Sequence, residues 1–151
     1  MTTWTWIGRW RREGDADWPD PADLSDPSWD VDERSLVATY LEAARPSPDF
    51  MIRTVPDGSF EIGERCQLCG GDEVITFDYL TDGTYVWPEG LAHYVKIHSV
   101  RLPSRVVDHI LRQQPFDFDA AQTRTSDQIR ASWRQGQHDR SWWKDATAQI
   151  H

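Results

Sequence analysis

The feature that most constrains this chain is a pair of cysteines followed, well downstream, by a pair of histidines. The cysteines lie in the run Cys66-Gln67-Leu68-Cys69-Gly70, and they are the only two in the 151 residues. A Cys-x-x-Cys turn followed by glycine is typical of a zinc knuckle, because the tight turn aims backbone N–H groups at the sulfurs. Glycine then tolerates the left-handed backbone that the turn requires. Thiolates are soft ligands, which favours zinc over magnesium or calcium.

His93 and His98 are the predicted partners of the two sulfurs, because their spacing fits Cys₂His₂ sites. A hairpin and the start of a helix are predicted between Cys69 and His93, which is the layout of treble-clef zinc modules. On an ideal helix, however, five residues at about 100° each place the two imidazoles about 140° apart. Both bind one ion only if the last helical turn loosens; otherwise His98 is a core histidine. His109, on the next predicted helix, is a third candidate.

Other uses of the cysteines stay open at this point. They could be free thiols without a role. A thioredoxin-type dithiol needs its first cysteine at a helix N-terminus, whereas a glycine pair and a predicted strand follow here. A small zinc enzyme would use two thiolates and one imidazole and leave a position for water. Glu89, one helical turn before His93, would then be the acid–base group.

Local patterns predict a helix over about residues 31–45. Asp30 has the form of an N-cap, with a carboxylate three residues later at Glu33. The apolar residues then recur at helical spacing, and a proline-containing run that begins at Arg45 stops them. These residues at helical spacing are Leu36, Val37, Tyr40, Leu41 and Ala44.

The next part of the chain predicts two β-hairpins and then two helices. Alternating segments flank turn residues at Pro56-Asp57-Gly58 and again at Asp82-Gly83. Pro88 and Pro103 each fit the first position of a helix. The predicted class is therefore α+β: a small domain with two β-hairpins, one preceding helix and a following helical hairpin, with a zinc-knuckle or treble-clef-like centre.

The length suits one domain over 1–151 with a substantial core. Three parts are distinguished within it. Residues 1–30 form a Trp-rich arm and an acidic, proline-punctuated loop, residues 31–119 the core, and residues 120–151 a polar helical tail.

The N-terminal part could pack on the core or bind a partner. Alternating Trp4 and Trp6 indicate either an edge strand or a binding arm, since exposed indoles are costly unless used. Residues 13–33 hold many carboxylates and no Lys or Arg. That composition indicates either a solvated loop or an acidic docking surface for a basic protein. The predicted partner-binding residues are Trp4, Trp6, Trp10, Trp18, Asp20 and Asp23.

Charge and hydropathy exclude several classes of function. The formal net charge of −9 gives no bulk attraction for nucleic acid or an anionic membrane. No apolar run approaches the ~20 residues of a membrane span, and the N-terminus has no apolar core typical of a secretory signal. Two cysteines are too few for the disulfide framework of a small secreted domain. We therefore expect a cytoplasmic protein.

One block of the sequence resembles a known set of proteins. It runs from Thr81-Asp82-Gly83 through Trp87-Pro88-Glu89-Gly90-Leu91-Ala92-His93-Tyr94-Val95 to His98 and Arg101-Leu102-Pro103, and the Cys66-to-Gly70 knuckle precedes it. It is similar to a block in small bacterial proteins that have no established activity. The resemblance covers roughly residues 64–111, implies a shared fold for that segment and transfers no function.

The sequence predicts a small acidic protein with structural zinc that acts by protein binding, as an inhibitor or immunity-type module. The first alternative is the small zinc enzyme with Glu89. The second is a small-ligand pocket lined by aromatic residues such as Tyr85, Trp87 and Tyr94, although aromatic residues in these numbers are more often core.

Overall fold

The computed structural model describes residues 3–12, 16–50, 52–54, 60–71, 73–118 and 125–148. These ranges contain five α-helices, one five-stranded sheet and 2 two-stranded ribbons, so the predicted α+β class is confirmed. The strands are β1 Thr3–Trp6, β2 Arg45–Phe50, β3 Ile52–Thr54, β4 Phe60–Ile62, β5 Glu64–Arg65, β6 Val74–Thr76, β7 Asp78–Thr81, β8 Tyr85–Pro88 and β9 Gln137–Asp139. The helices are α1 Val31–Ala43, α2 Leu91–His98, α3 Ser104–Arg112, α4 Ser126–Gln135 and α5 Trp142–Ala148, with a short 3₁₀ helix at Pro21–Leu24.

The large sheet has the strand order β2-β7-β8-β1-β9. β7 and β8 form the second predicted hairpin, and β1 then pairs in parallel with both β8 and β9. The prediction of an edge strand for Trp4 and Trp6 is therefore wrong, because β1 lies inside the sheet. The separate ribbon of β3 and β4 corresponds to the first predicted hairpin. Its predicted turn at Pro56-Asp57-Gly58 lies outside the described residues.

Helices cover both faces of the sheet. Trp4, Trp6 and Val86 form a small cluster on one face, and Trp133 of α4 packs against it. The main core lies on the other face, where α1 packs against α2 and α3. Its largest fully buried side chains are Trp87, Trp143, Leu24, Leu41, Leu91, Ile110, Val37, Val95, Val100 and Val106.

Several element boundaries differ from the sequence prediction. Asp30 caps α1 by accepting the Glu33 N–H at 2.9 Å, as expected. The proline run that ends α1 then forms strand β2, which prolines tolerate because it lies at the edge of the sheet. Pro88 is the last residue of β8 instead of the first of a helix, and α2 begins at Leu91.

The C-terminal part belongs to the folded body. β9 extends the sheet beside β1, and the Trp143 side chain is fully buried. The Trp143 indole donates to the Arg9 carbonyl oxygen at 2.8 Å, which joins α5 to the N-terminal segment. Among the described residues, none of the helices combines the length and apolar character that crossing a membrane requires.

Candidate metal centre

The two cysteines lie in a tight turn between the short strands β5 and β6. Gly63, with φ 82°, precedes β5 where a Cβ would collide with the Thr76 carbonyl, so only glycine lets the two strands approach. Gly70, with φ 66°, follows the second cysteine, as the knuckle pattern predicts. The Leu68 N–H points to the Cys66 sulfur at 3.4 Å. The turn is thus shaped around a sulfur acceptor.

Helix α2 supplies the two histidines, and its end has the loosened geometry that the spacing demands. Ser99 adopts a left-handed conformation with φ 55°, and its N–H bonds to the carbonyl of Tyr94. That carbonyl lies five residues back, instead of the four of an α-helix. The rings of His93 and His98 lie close together at this end of the helix, with their centroids 5.2 Å apart.

The four side chains converge on one point. The Cys66 sulfur lies 3.3 Å from His98 Nε2, and the Cys69 sulfur lies 3.3 Å from the Nε2 atoms of both histidines. All four ligand atoms lie within 4.8 Å of one another. Zinc bonds of about 2.3 Å to sulfur and 2.0–2.1 Å to nitrogen at tetrahedral angles would set sulfur and nitrogen about 3.5 Å apart. The arrangement therefore fits a tetrahedral ion held by two sulfurs and two nitrogens.

The electrostatics of this cluster favour a cation. A hydrogen bond with the Cys66 sulfur, desolvation and the nearby negative charge of Glu73 raise the pKa of the Cys69 thiol. Two thiolates side by side are unfavourable without a cation, and a bound ion would reverse this effect. Desolvation and the neighbouring His93 lower the pKa of His98, so its imidazole is neutral near pH 7, the form that binds metal.

Residues of the N-terminal segment contact the knuckle and the histidine helix. The sequence does not predict these contacts. The Tyr94 phenol oxygen accepts the Gln67 N–H at 2.8 Å, and the Gln67 side chain donates to the Arg11 carbonyl at 3.1 Å. Arg12 forms an ion pair with Glu64 of β5. Trp10 packs against Tyr94 with ring centroids 5.0 Å apart and ring planes tilted by 52°. The only sequence signal for this role is the position of Tyr94 on the apolar face of the histidine helix.

Glu89, the acid–base group of the enzyme alternative, lines the same groove as His93, but its carboxylate is hydrogen-bonded to the backbone. Its carboxylate accepts the Phe77 N–H at 3.1 Å, which joins the start of α2 to the preceding strands. Glu89 and His93 both line an open groove of about 410 Å³, together with Glu73 and Lys96.

His109, the third candidate ligand, belongs to a different cluster. Its Nε2 donates to Asp82 Oδ2 at 2.8 Å, and the same oxygen accepts the Tyr40 hydroxyl at 2.7 Å. Asp82 Oδ1 accepts the backbone N–H groups of Thr84 and Tyr85 at 3.0 and 2.9 Å. Of the ligands considered from the sequence, the structure brings Cys66, Cys69, His93 and His98 together and places His109 with Asp82 instead.

The residues predicted to bind a partner are spread over the interior and the surface. Trp4, Trp6 and Trp10 are buried in the core. Trp18 is half-buried, with the Arg9 guanidinium 4.3 Å above its ring. Asp20 caps the short 3₁₀ helix by accepting the Ala22 N–H at 3.0 Å, and Asp23 is exposed. These last three residues are the ones open to a partner, and their binding role stays a prediction.

The aromatic residues of the small-ligand alternative are part of the core. Tyr85, Trp87 and Tyr94 are each less than 5% exposed. The Trp87 indole donates to the Leu41 carbonyl at 3.2 Å. Their burial and hydrogen bonds give these rings a packing role.

Comparison of the chain with protein-family models, with curated proteins and with solved structures finds no significant match.

Proposed function

We propose that this protein is a zinc-binding domain in which the ion is a structural cross-link between the β5–β6 knuckle and helix α2. The observation that carries the proposal is the convergence of two sulfurs and two imidazole nitrogens within 4.8 Å. Zinc prefers four such ligands at tetrahedral angles, and magnesium and calcium prefer oxygen. A reducing compartment such as the cytoplasm would keep both thiols available for the ion.

A structural role is favoured over a catalytic one by the number of ligands. Catalytic zinc sites usually have three protein ligands and a water molecule, whereas structural sites are closed by four. Four side chains converge here. Glu89, the acid–base candidate, instead uses its carboxylate to bind the Phe77 N–H.

The cross-link has a clear task in this part of the fold. β5 has two residues and β6 has three, and isolated ribbons of that size are marginal at best in water. The knuckle buries Cys66 and half-buries Leu68, while Gln67 and Cys69 are exposed. An ion held by both the knuckle and α2 would supply the stabilisation that so small a core lacks.

The test is the metal content of the purified chain, measured by elemental mass spectrometry. We expect about one zinc per chain, as for a four-ligand site. The double variant Cys66→Ser/Cys69→Ser should lose it. His109→Gln is the matched control: it removes a histidine that bonds to Asp82, and it should retain zinc. A native chain that contains no zinc, and takes none up when zinc is supplied, would refute the proposal.

We further propose that the domain works by binding a basic protein, in the manner of an inhibitor or immunity protein. A net charge of −9 supports a basic partner. Asp17, Asp23, Asp30 and Asp32 are exposed, and Val31 among them is 59% exposed. Basic proteins that co-purify with the native chain at low salt should be lost with Asp17→Asn/Asp23→Asn. Equal recovery with that variant would remove the support for this surface.

A further inference from the structure

The two cysteines of the knuckle lie in unequal surroundings. Cys66 is 6% exposed, and its sulfur accepts the Leu68 N–H at 3.4 Å and lies 3.3 Å from His98 Nε2. Cys69 is exposed, and its sulfur contacts the imidazoles of His93 and His98. Burial restricts the access of reagents to a thiol. Of the two cysteines, Cys69 is therefore the easier one for a reagent to reach.

The chain beside Cys69 leaves this sulfur open. Gly70 and Gly71 follow it, and apart from each glycine's own chain neighbours, no heavy atom of the described residues lies within 4 Å of where a Cβ would stand. Within the described part of the chain, the knuckle thus has free space next to its exposed cysteine. A molecule as small as a hydroperoxide can approach the sulfur there.

We propose that Cys69 is an oxidative modification site for hydroperoxides, through which the zinc cross-link is released; the proposal rests on the zinc-binding function. With hydrogen peroxide, the Cys69 thiolate attacks one oxygen, the O–O bond breaks, and a sulfenic acid forms at Cys69 while the other oxygen leaves as hydroxide. The Cys66 thiolate then attacks the Cys69 sulfur, a disulfide forms, and the sulfenic oxygen leaves as a second hydroxide. The two sulfurs lose two electrons to the peroxide, and two protons convert the hydroxides to water.

The geometry supports the second step as well as the first. The two sulfurs already lie within 4.8 Å of each other, and the cysteines are separated by two residues only. A disulfide needs a sulfur–sulfur bond of about 2.05 Å, which rotation of the exposed Cys69 side chain brings within reach. The product has no thiolates, so only His93 and His98 would remain to hold an ion, which are too few ligands for a structural zinc site. Oxidation would then free the knuckle from α2, and a thiol reductant would restore the site.

The experiment uses the zinc-loaded full-length chain and hydrogen peroxide as the probe. Zinc content is measured first, and zinc release is then followed with a colorimetric chelating indicator while samples are analysed by mass spectrometry. We expect loss of about one zinc per chain, a Cys66–Cys69 disulfide, and an early dimedone adduct on Cys69. Dithiothreitol and fresh zinc should restore the metal content.

Different outcomes separate the two proposals. A chain with no zinc at the outset refutes the zinc-binding function and this inference with it. Zinc that is retained at a peroxide concentration sufficient to oxidise the thiols of the guanidinium-unfolded chain refutes this inference alone. So does an early adduct on Cys66 instead of Cys69.

A shielding variant provides an independent check. Gly71 has open space and no left-handed backbone, so Gly71→Leu should fold and bind zinc normally. Its side chain should cover part of the approach to Cys69 and slow zinc release by peroxide relative to the native chain. Unchanged release kinetics, with zinc content equal to that of the native chain, would contradict the proposed route of access.

Discussion

Two places in this molecule join remote segments through one central group, and they differ in where that group comes from. At Asp82, a carboxylate of the chain itself accepts hydrogen bonds from α1, from α3 and from the β7–β8 turn. At the knuckle, two sulfurs and two imidazoles surround a point at which the chain provides no group. The Asp82 network is complete without a ligand. The knuckle has the donors of a cross-link and needs an ion to become one.

The surroundings of the two places explain the difference. The Asp82 side chain is 2% exposed and lies beside the buried rings of Tyr40 and Tyr85. Hydrophobic burial already holds that region together, and the carboxylate fixes its geometry. The knuckle is short and mostly exposed, and its strands have few residues to pack. A bound ion is the usual substitute where a segment is too small for its own core.

Removal of zinc should have the largest and the most local effect. At free zinc a thousandfold above its dissociation constant, binding adds about 4 kcal/mol to the free energy of unfolding. A strong chelator should remove that contribution. Hydrogen exchange should then become faster in residues 63–76 and at the end of α2, while the β7–β8 turn remains protected. Thermal unfolding and hydrogen-exchange mass spectrometry, with and without chelator, provide the check.

The double variant Cys66→Ser/Cys69→Ser is the control for this prediction. Its free energy of unfolding should be low without chelator and should not change when chelator is added. A uniform increase in exchange over the whole chain would contradict the comparison, because it would mean that the core near Asp82 also depends on the ion.

The four converging side chains of the candidate metal centre could be predicted from the sequence because their signals are local. The Cys-x-x-Cys-Gly turn and the histidine pair each lie within one short segment, and both patterns follow from coordination geometry. The histidine spacing leaves open whether the last helical turn loosens, and the structure has a five-residue hydrogen bond at that point, from the Ser99 N–H to the Tyr94 carbonyl. The predicted helix start at Pro88 is wrong, because proline suits a strand end as well as a helix start.

The rest of the fold depends on partners that are remote in sequence. β9 is a polar tripeptide whose only reason to form a strand is pairing with β1 at the other end of the chain. Asp82 was recognised as a turn residue, and its contacts with Tyr40 and His109 required the packing of two helices on the sheet. Neither strand β9 nor the Asp82 network has a periodic sequence pattern, because both depend on tertiary contacts.

The second prediction tests the network that needs no ion. Asp82→Asn keeps the shape of the side chain but removes its charge and makes one of its acceptor positions a donor. Hydrogen bonds to a charged group contribute about 1.5–3 kcal/mol, so we expect a loss of about 2–3 kcal/mol in the free energy of unfolding at pH 7. Zinc content should be unchanged, as measured by elemental analysis beside urea unfolding.

Tyr40→Phe removes one hydrogen-bond donor to Asp82. This variant should lose about 1 kcal/mol in the free energy of unfolding.

The candidate metal centre and the Asp82 network should respond to acid at different pH values. Burial alone would raise the pKa of Asp82, but the hydrogen bonds from His109, Tyr40 and the backbone outweigh it and hold the pKa below its usual value of 3.8. A lowered folded-state pKa contributes stability that is present above the unfolded-state value and is lost as the pH falls through the folded-state value. The contribution of the Asp82 charge to the stability difference between the native chain and Asp82→Asn should therefore shrink as the pH falls below about 4. Zinc should dissociate earlier in the same titration, because imidazole and thiolate ligands take up protons at higher pH than a carboxylate does. Zinc release and the loss of the Asp82 contribution in a single step would show that the ion and the carboxylate hold one cooperative unit.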